Sequence, residues 1–244
     1  MKLTVLAITA AVFGFGELAW QQTRASTPSA SQGPVKAAPT VLCGKARFQV
    51  LTPAPVRLEY SPSGEFTDAA SVVVINREDW PHTPFGRHEA DGWVMISTEL
   101  LNICYQNGSG PFTHDNLRIV WRDGRGEHQW KPGDTDEQNL GGVPASLDNR
   151  STKAVTEPGP LSRSGCYRLD DSKTALFDPS TGWVKPRPTK DGQDWYFLAY
   201  GSDYKSVLGR LARLVGPVPM LPRYVFGAWF GSPRSLTTGT RKRD

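Results

Sequence analysis

The chain has 244 residues, and its net charge of +4 comes from basic and acidic side chains that are interleaved along its length. That balance argues against the basic stripe of a nucleic-acid binder, and no nucleic-acid partner is expected. Hydrophobic residues make up 38%, with eight Trp and ten Phe, which is enough to fill a core, while 24 Gly and 20 Pro exclude a mostly helical protein.

The N-terminus reads as a signal peptide over residues 1–25. Lys2 supplies the positive end, Leu3 to Gly16 is an uncharged apolar run, and Glu17 closes it. The run is too short for a comfortable membrane span, and small residues suited to cleavage follow at Ala25 and Ala30. The expected location is secreted or periplasmic, with no membrane contact after cleavage; an uncleaved anchor is the alternative. Residues 26–40 are rich in Ser, Pro, Ala and Gln and predict a disordered leader.

Three cysteines, Cys43, Cys104 and Cys166, form no C-x-x-C pair. In an oxidising compartment one disulfide can form and one thiol is left over, and the sequence does not choose among the pairings. His82, His88, His114 and His128 share no ligand spacing and read as exposed or loop residues. No metal and no cofactor is expected. Asn107-Gly108-Ser109 and Asn149-Arg150-Ser151 are glycosylation sequons.

From Val41 to Gln129 the pattern is that of short strands. Val56, Leu58 and Tyr60 alternate with Arg57 and Glu59, and Leu117, Ile119 and Trp121 alternate with Arg118 and Arg122. Period-two alternation puts one face on a core and the other toward water. Val72 to Ile75 reads as a short buried strand, and Trp93 to Ser97 and Leu101 to Gln106 as two more. Turn chemistry separates them at Ser61-Pro62-Ser63-Gly64, Asp91-Gly92, Asn107-Gly108 and Asp123-Gly124. This predicts an antiparallel sandwich or barrel.

Residues 131–165 lose any period and predict a long loop. Strand patterns return at Tyr167 to Leu169 and Trp195 to Tyr200. One helix follows over 203–215. Asp203 can cap it, and Tyr204, Val207, Leu208, Leu211 and Leu214 make an apolar face. Arg210 and Arg213 suit its C-terminal end, and Gly216-Pro217 ends it.

Several segments together resemble the N-terminal part of glycoside hydrolase family 31, the α-glucosidase and α-xylosidase family. They are "RFQVLTPAPVRLEYSPSGEF", "NLGG" with "SLD", "GPLSRSGCYRLDDS" and "YFLAYGSDYKSVLGRLARLVGPVPMLPRYVFGAWF". The resemblance covers about Arg47 to Phe230 and rests on their order and spacing. It implies a mostly β protein: a galactose-mutarotase-like antiparallel β-sandwich over 41–201, with an N-loop at 131–165. A helix and linker at 202–222 then lead to the first strand of a (β/α)8 barrel within 223–244. In that family both catalytic carboxylates belong to the barrel, and hydrolysis is retaining. A barrel takes about 250 residues, so the expectation is a truncated enzyme without its own catalysis. A stand-alone carbohydrate-binding module and a non-catalytic interaction protein are the alternatives. The apolar run Tyr224 to Phe230 would then lack neighbours and favour self-association.

Candidate site residues follow from the same resemblance. No catalytic residue is assigned. Asp148 and Asp170 are candidate sugar contacts, only with a barrel present, so carbohydrate binding by the chain alone is expected to be weak or absent. Trp183 can stack on a sugar ring or pack in the sandwich. Asn139, Gly141 and Gly142 shape the N-loop, where Gly permits positive φ, and Arg163 can orient it by pairing a carboxylate. The acids Asp134, Asp136, Asp148, Asp170 and Asp171 read mainly as solvated turn residues.

Overall fold

The computed structural model describes residues 38–142, 157–178, 180–188, 191–217 and 225. Two five-stranded antiparallel sheets form the body. The first contains β1 (Thr40–Cys43), β2 (Ala46–Val50), β3 (Pro55–Tyr60), β9 (Cys166–Asp170) and β12 (Gln193–Ala199), in the order β1-β2-β3-β12-β9. The second is a meander of β4 (Gly86–Ala90), β5 (Trp93–Ser97), β6 (Leu101–Gln106), β7 (Leu117–Asp123) and β8 (Gly126–Trp130). A small hairpin pairs β10 (Leu176–Asp178) with β11 (Trp183–Lys185). The fold is mostly β, an antiparallel sandwich with one described helix, α1 (Tyr204–Val215).

Alternation decides which side chains fill the space between the sheets. Leu117, Ile119 and Trp121 of β7 point inward and are buried, and Arg118 and Arg122 point out. The interior is aromatic. The Phe112 ring lies 5.7 Å from Phe48, 5.5 Å from Tyr105 and 5.6 Å from Trp195. Such rings bury large areas and dominate the energy of a core this size. Register in the meander is pinned at Asp91-Gly92, where both residues have positive φ, 51° and 78°. Two such residues make the tight hairpin turn whose twist matches that of paired strands.

β12 is buried on both faces, which explains why Trp195 to Tyr200 reads as an unbroken apolar run. Trp195, Phe197 and Ala199 face the inner core, while Tyr196 and Leu198 face a second layer with Leu51, Trp80, Val207 and Leu214. Asp203 caps α1 by accepting from the Ser206 amide at 3.0 Å. The helix covers the outer face of the first sheet, where Val207 and Leu214 meet Tyr196 and Leu198. Leu208, expected on its apolar face, is 46% exposed.

Two other expectations are corrected, and the cysteines, whose pairing the sequence left open, are free. Residues 72–75 form no strand. Val72, Val73 and Ile75 are exposed, and only Val74 is buried. The Ser71 hydroxyl accepts from the Val73 and Val74 amides, so the backbone turns instead of pairing along a ladder. Asp171 is fully buried rather than solvated. Its carboxylate accepts from Ser71 at 2.8 Å, Arg77 at 2.5 Å and Arg187 at 2.6 Å, which offsets its desolvation. No disulfide joins the three cysteines. Cys43 and Cys166 lie on opposite edge strands of the first sheet, β1 and β9. Four strand spacings of about 4.8 Å separate them, well beyond disulfide reach. Cys104 points away from the core of the second sheet.

Candidate functional site

The outer face of the second sheet carries a cavity of about 200 Å³. Strand register creates it. His88 pairs with Met95, Met95 with Cys104 and Cys104 with Arg118, so one row of outward side chains crosses four strands. Lys131 follows directly on Trp130, which pairs with Ile119, and so stands beside Arg118. Met95 and Cys104 are half-buried and make the floor, while His88 and Arg118 are exposed and make the walls. Trp93 lies at one end, 38% exposed. His114 and Asp115, from the turn between β6 and β7, close the rim.

The charges in this groove are unevenly satisfied. His114 stands between two carboxylates, with Nδ1 3.4 Å from Asp115 and Nε2 3.9 Å from Asp134. Among the described residues the Arg118 guanidinium meets only the Cys104 sulfur, at 4.0 Å. Burial pushes the Cys104 thiol up, and the nearby Arg118 charge offsets part of that shift. Such a thiol stays protonated and serves as a small apolar floor rather than a nucleophile. The volume exceeds what a single water needs by about an order of magnitude. An apolar floor, one exposed indole and convergent polar groups are the makings of a small-ligand site.

A second polar constellation is filled by its own members. Arg47, Arg57, Arg77 and Arg187 interlock with Glu59, Asp171 and Asp194 on the outer side of the first sheet. The adjoining cavity holds about 20 Å³, room for one water. Burial pushes the Asp194 carboxyl up, but the Arg57, Arg77 and Arg187 charges outweigh it and hold it well below the usual carboxylate range. This cluster ties distant segments together and leaves no space for a ligand.

The residues singled out from sequence do not converge. Asp148 lies outside the described residues. Asp170 is exposed, pairs with Arg168 at 2.7 Å and accepts from the Ser172 amide and hydroxyl. Trp183 is 76% exposed on the β10–β11 hairpin and lines neither cavity. Asn139 staples the two described stretches of the N-loop. Its Oδ1 accepts from Gly141 at 2.9 Å and Gly159 at 2.8 Å, and its Nδ2 donates to the Gly159 carbonyl at 2.9 Å. Gly141 has φ of 80°. A Cβ on Gly142 would lie 3.1 Å from the Glu157 carbonyl. Arg163 acts through its backbone: its amide donates to Gln138, and its carbonyl accepts from Arg125. Its side chain pairs with no carboxylate among the described residues.

The loop is anchored at its C-terminal base by Tyr200. The phenol oxygen accepts from the Ser162 amide at 2.7 Å and lies within reach of the Pro160, Ser162 and Cys166 carbonyls. Burial is the main reason that its pKa is pushed up to about 12. The same burial raises the Cys166 thiol to about 11. Trp93, Arg118 and the histidines of the groove were not assigned a site from sequence. The signal was the outward half of each alternating strand, and which residues meet there depends on register.

No family model and no curated protein matches the sequence. In structure, the chain is similar to a glycoside hydrolase family 31 dextranase of Flavobacterium johnsoniae in complex with isomaltotriose. The TM-score is 0.43 and the identity 15%, covering 79% of this chain and 29% of the dextranase. It is also similar to a family 31 α-xylosidase from a soil metagenome complexed with xylose. There the TM-score is 0.44 and the identity 12%, over 80% of this chain and 36% of the xylosidase. The chain thus spans about a third of the length of these structures.

Proposed function

We propose that this sandwich is a carbohydrate-binding domain of a glycoside hydrolase family 31-like protein and that it cleaves no glycosidic bond by itself. The observation that carries the reading is the groove on the second sheet. Trp93 offers an aromatic face to the apolar C–H face of a sugar ring, and His88, His114, Asp115, Arg118 and Lys131 offer donors and acceptors to its hydroxyls. The segments that resemble that family in sequence point the same way.

Five of the described acids are poorly suited to donate a proton. Retaining hydrolysis needs two carboxyl groups about 5–5.5 Å apart, one of them an acid with a raised pKa. Asp68, Asp123, Asp170, Asp178 and Asp194 are all displaced downward. Each is held as a carboxylate by arginine or by hydroxyl and amide donors, the opposite of what a proton donor needs.

Backbone amide shifts during titration with isomaltotriose and maltotriose test the reading. Shifts confined to β4–β8, with no release of p-nitrophenol from its α-glucoside or α-xyloside, are expected. Shifts centred on the β10–β11 hairpin, or hydrolysis above a blank, would overturn it. A second reading, an interaction domain, is favoured by exposed apolar side chains at Val72, Ile75, Phe177, Trp183 and Val184, adjoining through the Ser71–Leu176 bridge.

A further inference from the structure

Nine arginines of the described residues form ion pairs: Arg47, Arg57, Arg77, Arg87, Arg122, Arg125, Arg168, Arg187 and Arg213. Arg118, Arg163 and Arg210 form none among the described residues, and of these Arg118 lines the cavity of about 200 Å³. The neighbouring Lys131 side chain likewise forms no ion pair among the described residues. Asp115 and Asp134 stand against His114, and the Asp134 carboxylate also accepts from the Lys131 backbone amide at 2.7 Å. The Arg118 and Lys131 side chains therefore present two cations to the cavity with no carboxylate bound to either among the described residues.

We infer that the groove recognises an anionic sugar, a hexuronate residue, with its carboxylate on Arg118 and Lys131 and its ring face on Trp93. This rests on the carbohydrate reading above and narrows it. A guanidinium fork matches a carboxylate in two parallel bonds, and an adjacent ammonium adds a third donor. The half-buried floor of Met95 and Cys104 lowers the local dielectric and strengthens both contacts. A neutral sugar leaves the two cations to water and gains only the stacking.

Titration with methyl glucuronide, methyl glucoside, methyl galacturonide, methyl galactoside and acetate, followed by amide shifts, tests the inference. Each uronide should bind at least about tenfold tighter than its neutral partner, the usual scale of a charge-assisted pair. The preference should shrink at about 1 M salt, where screening acts over roughly 3 Å. R118M should abolish the preference while keeping weak binding of both, and W93A should weaken both. Both side chains point outward, and an unchanged melting temperature checks the fold. Equal binding of uronide and neutral sugar overturns the anionic specificity and leaves the carbohydrate reading standing. Acetate binding as well as the uronides do shows a bare anion site and overturns the inference. Binding of none of the sugars overturns both.

Discussion

Arg57 and Asp194 stand 137 residues apart in the chain and meet in the interior through two hydrogen bonds, Nε to Oδ1 at 2.8 Å and Nη2 to Oδ2 at 2.9 Å. Both side chains are almost wholly buried. Asp194 also receives Arg77 at 2.9 Å and Arg187 at 3.1 Å. Removing the shared acid leaves three guanidinium groups without it, whereas removing one arginine leaves Asp194 with two partners. We expect D194A to lose about 3–5 kcal/mol, the usual cost of breaking a buried pair, and R57M clearly less. Urea unfolding of both variants checks the ranking, and a smaller loss for D194A would contradict the hub role.

The same acid sets an acid limit. The folded-state pKa of Asp194 is depressed. The stabilisation it contributes is therefore complete above the unfolded carboxylate pKa, about 3.9, and is lost as pH falls from there toward the folded value. The melting temperature should drop on acidification below about pH 4. The drop should be shallower in D194A. An identical slope in the two proteins would assign the acid sensitivity elsewhere.

Gly165 and Gly201 pack backbone on backbone where the N-loop meets the end of β12. A Cβ on Gly165 would lie 2.6 Å from the Gly201 Cα, and one on Gly201 would lie 2.8 Å from the Asp123 Cβ. Both residues have positive φ, 77° and 57°. Alanine at either position combines strain with overpacking, an expected loss of about 2–4 kcal/mol. Alanine at Gly182, also at positive φ but with open space around it, isolates the conformational part and should cost about 1 kcal/mol. Thermal unfolding of the three variants separates the two effects.

Tyr200→Phe removes the acceptor of the buried Ser162 amide. A buried donor left unpaired costs about 1–3 kcal/mol. Amide exchange at Ser162 should accelerate while exchange in β5 and β6 follows only the global change. Unchanged protection at Ser162 would mean that the hydroxyl does not hold the base of the loop.

Trp183→Ala should change stability by less than about 0.5 kcal/mol, because the ring is 76% exposed. Sugar-induced shifts should also survive it, in contrast to W93A. Loss of binding in W183A would move the site to the hairpin.

Much of the fold was legible because local patterns there agree with the tertiary outcome. β5 and β6 coincide with the expected Trp93–Ser97 and Leu101–Gln106, and Asp203 caps the helix as its position suggested. Residues 72–75 failed because four apolar residues in a row suit a strand, yet Ser71 turns the backbone away from any ladder. Asp171 failed because an Asp-Asp-Ser run suits a solvated turn, and its neutralising arginines come from positions 77 and 187.

The sequence alone thus determined the strand-rich class, the hairpin turn at Asp91-Gly92 and the capped helix, since alternation, turn chemistry and caps act within a few residues. Tertiary structure decided the groove. His88, Met95, Cys104 and Arg118 share a row only because three successive hairpins fix their registers. A slip of one residue in any of them would send its side chain to the opposite face, and no local pattern encodes that alignment across strands.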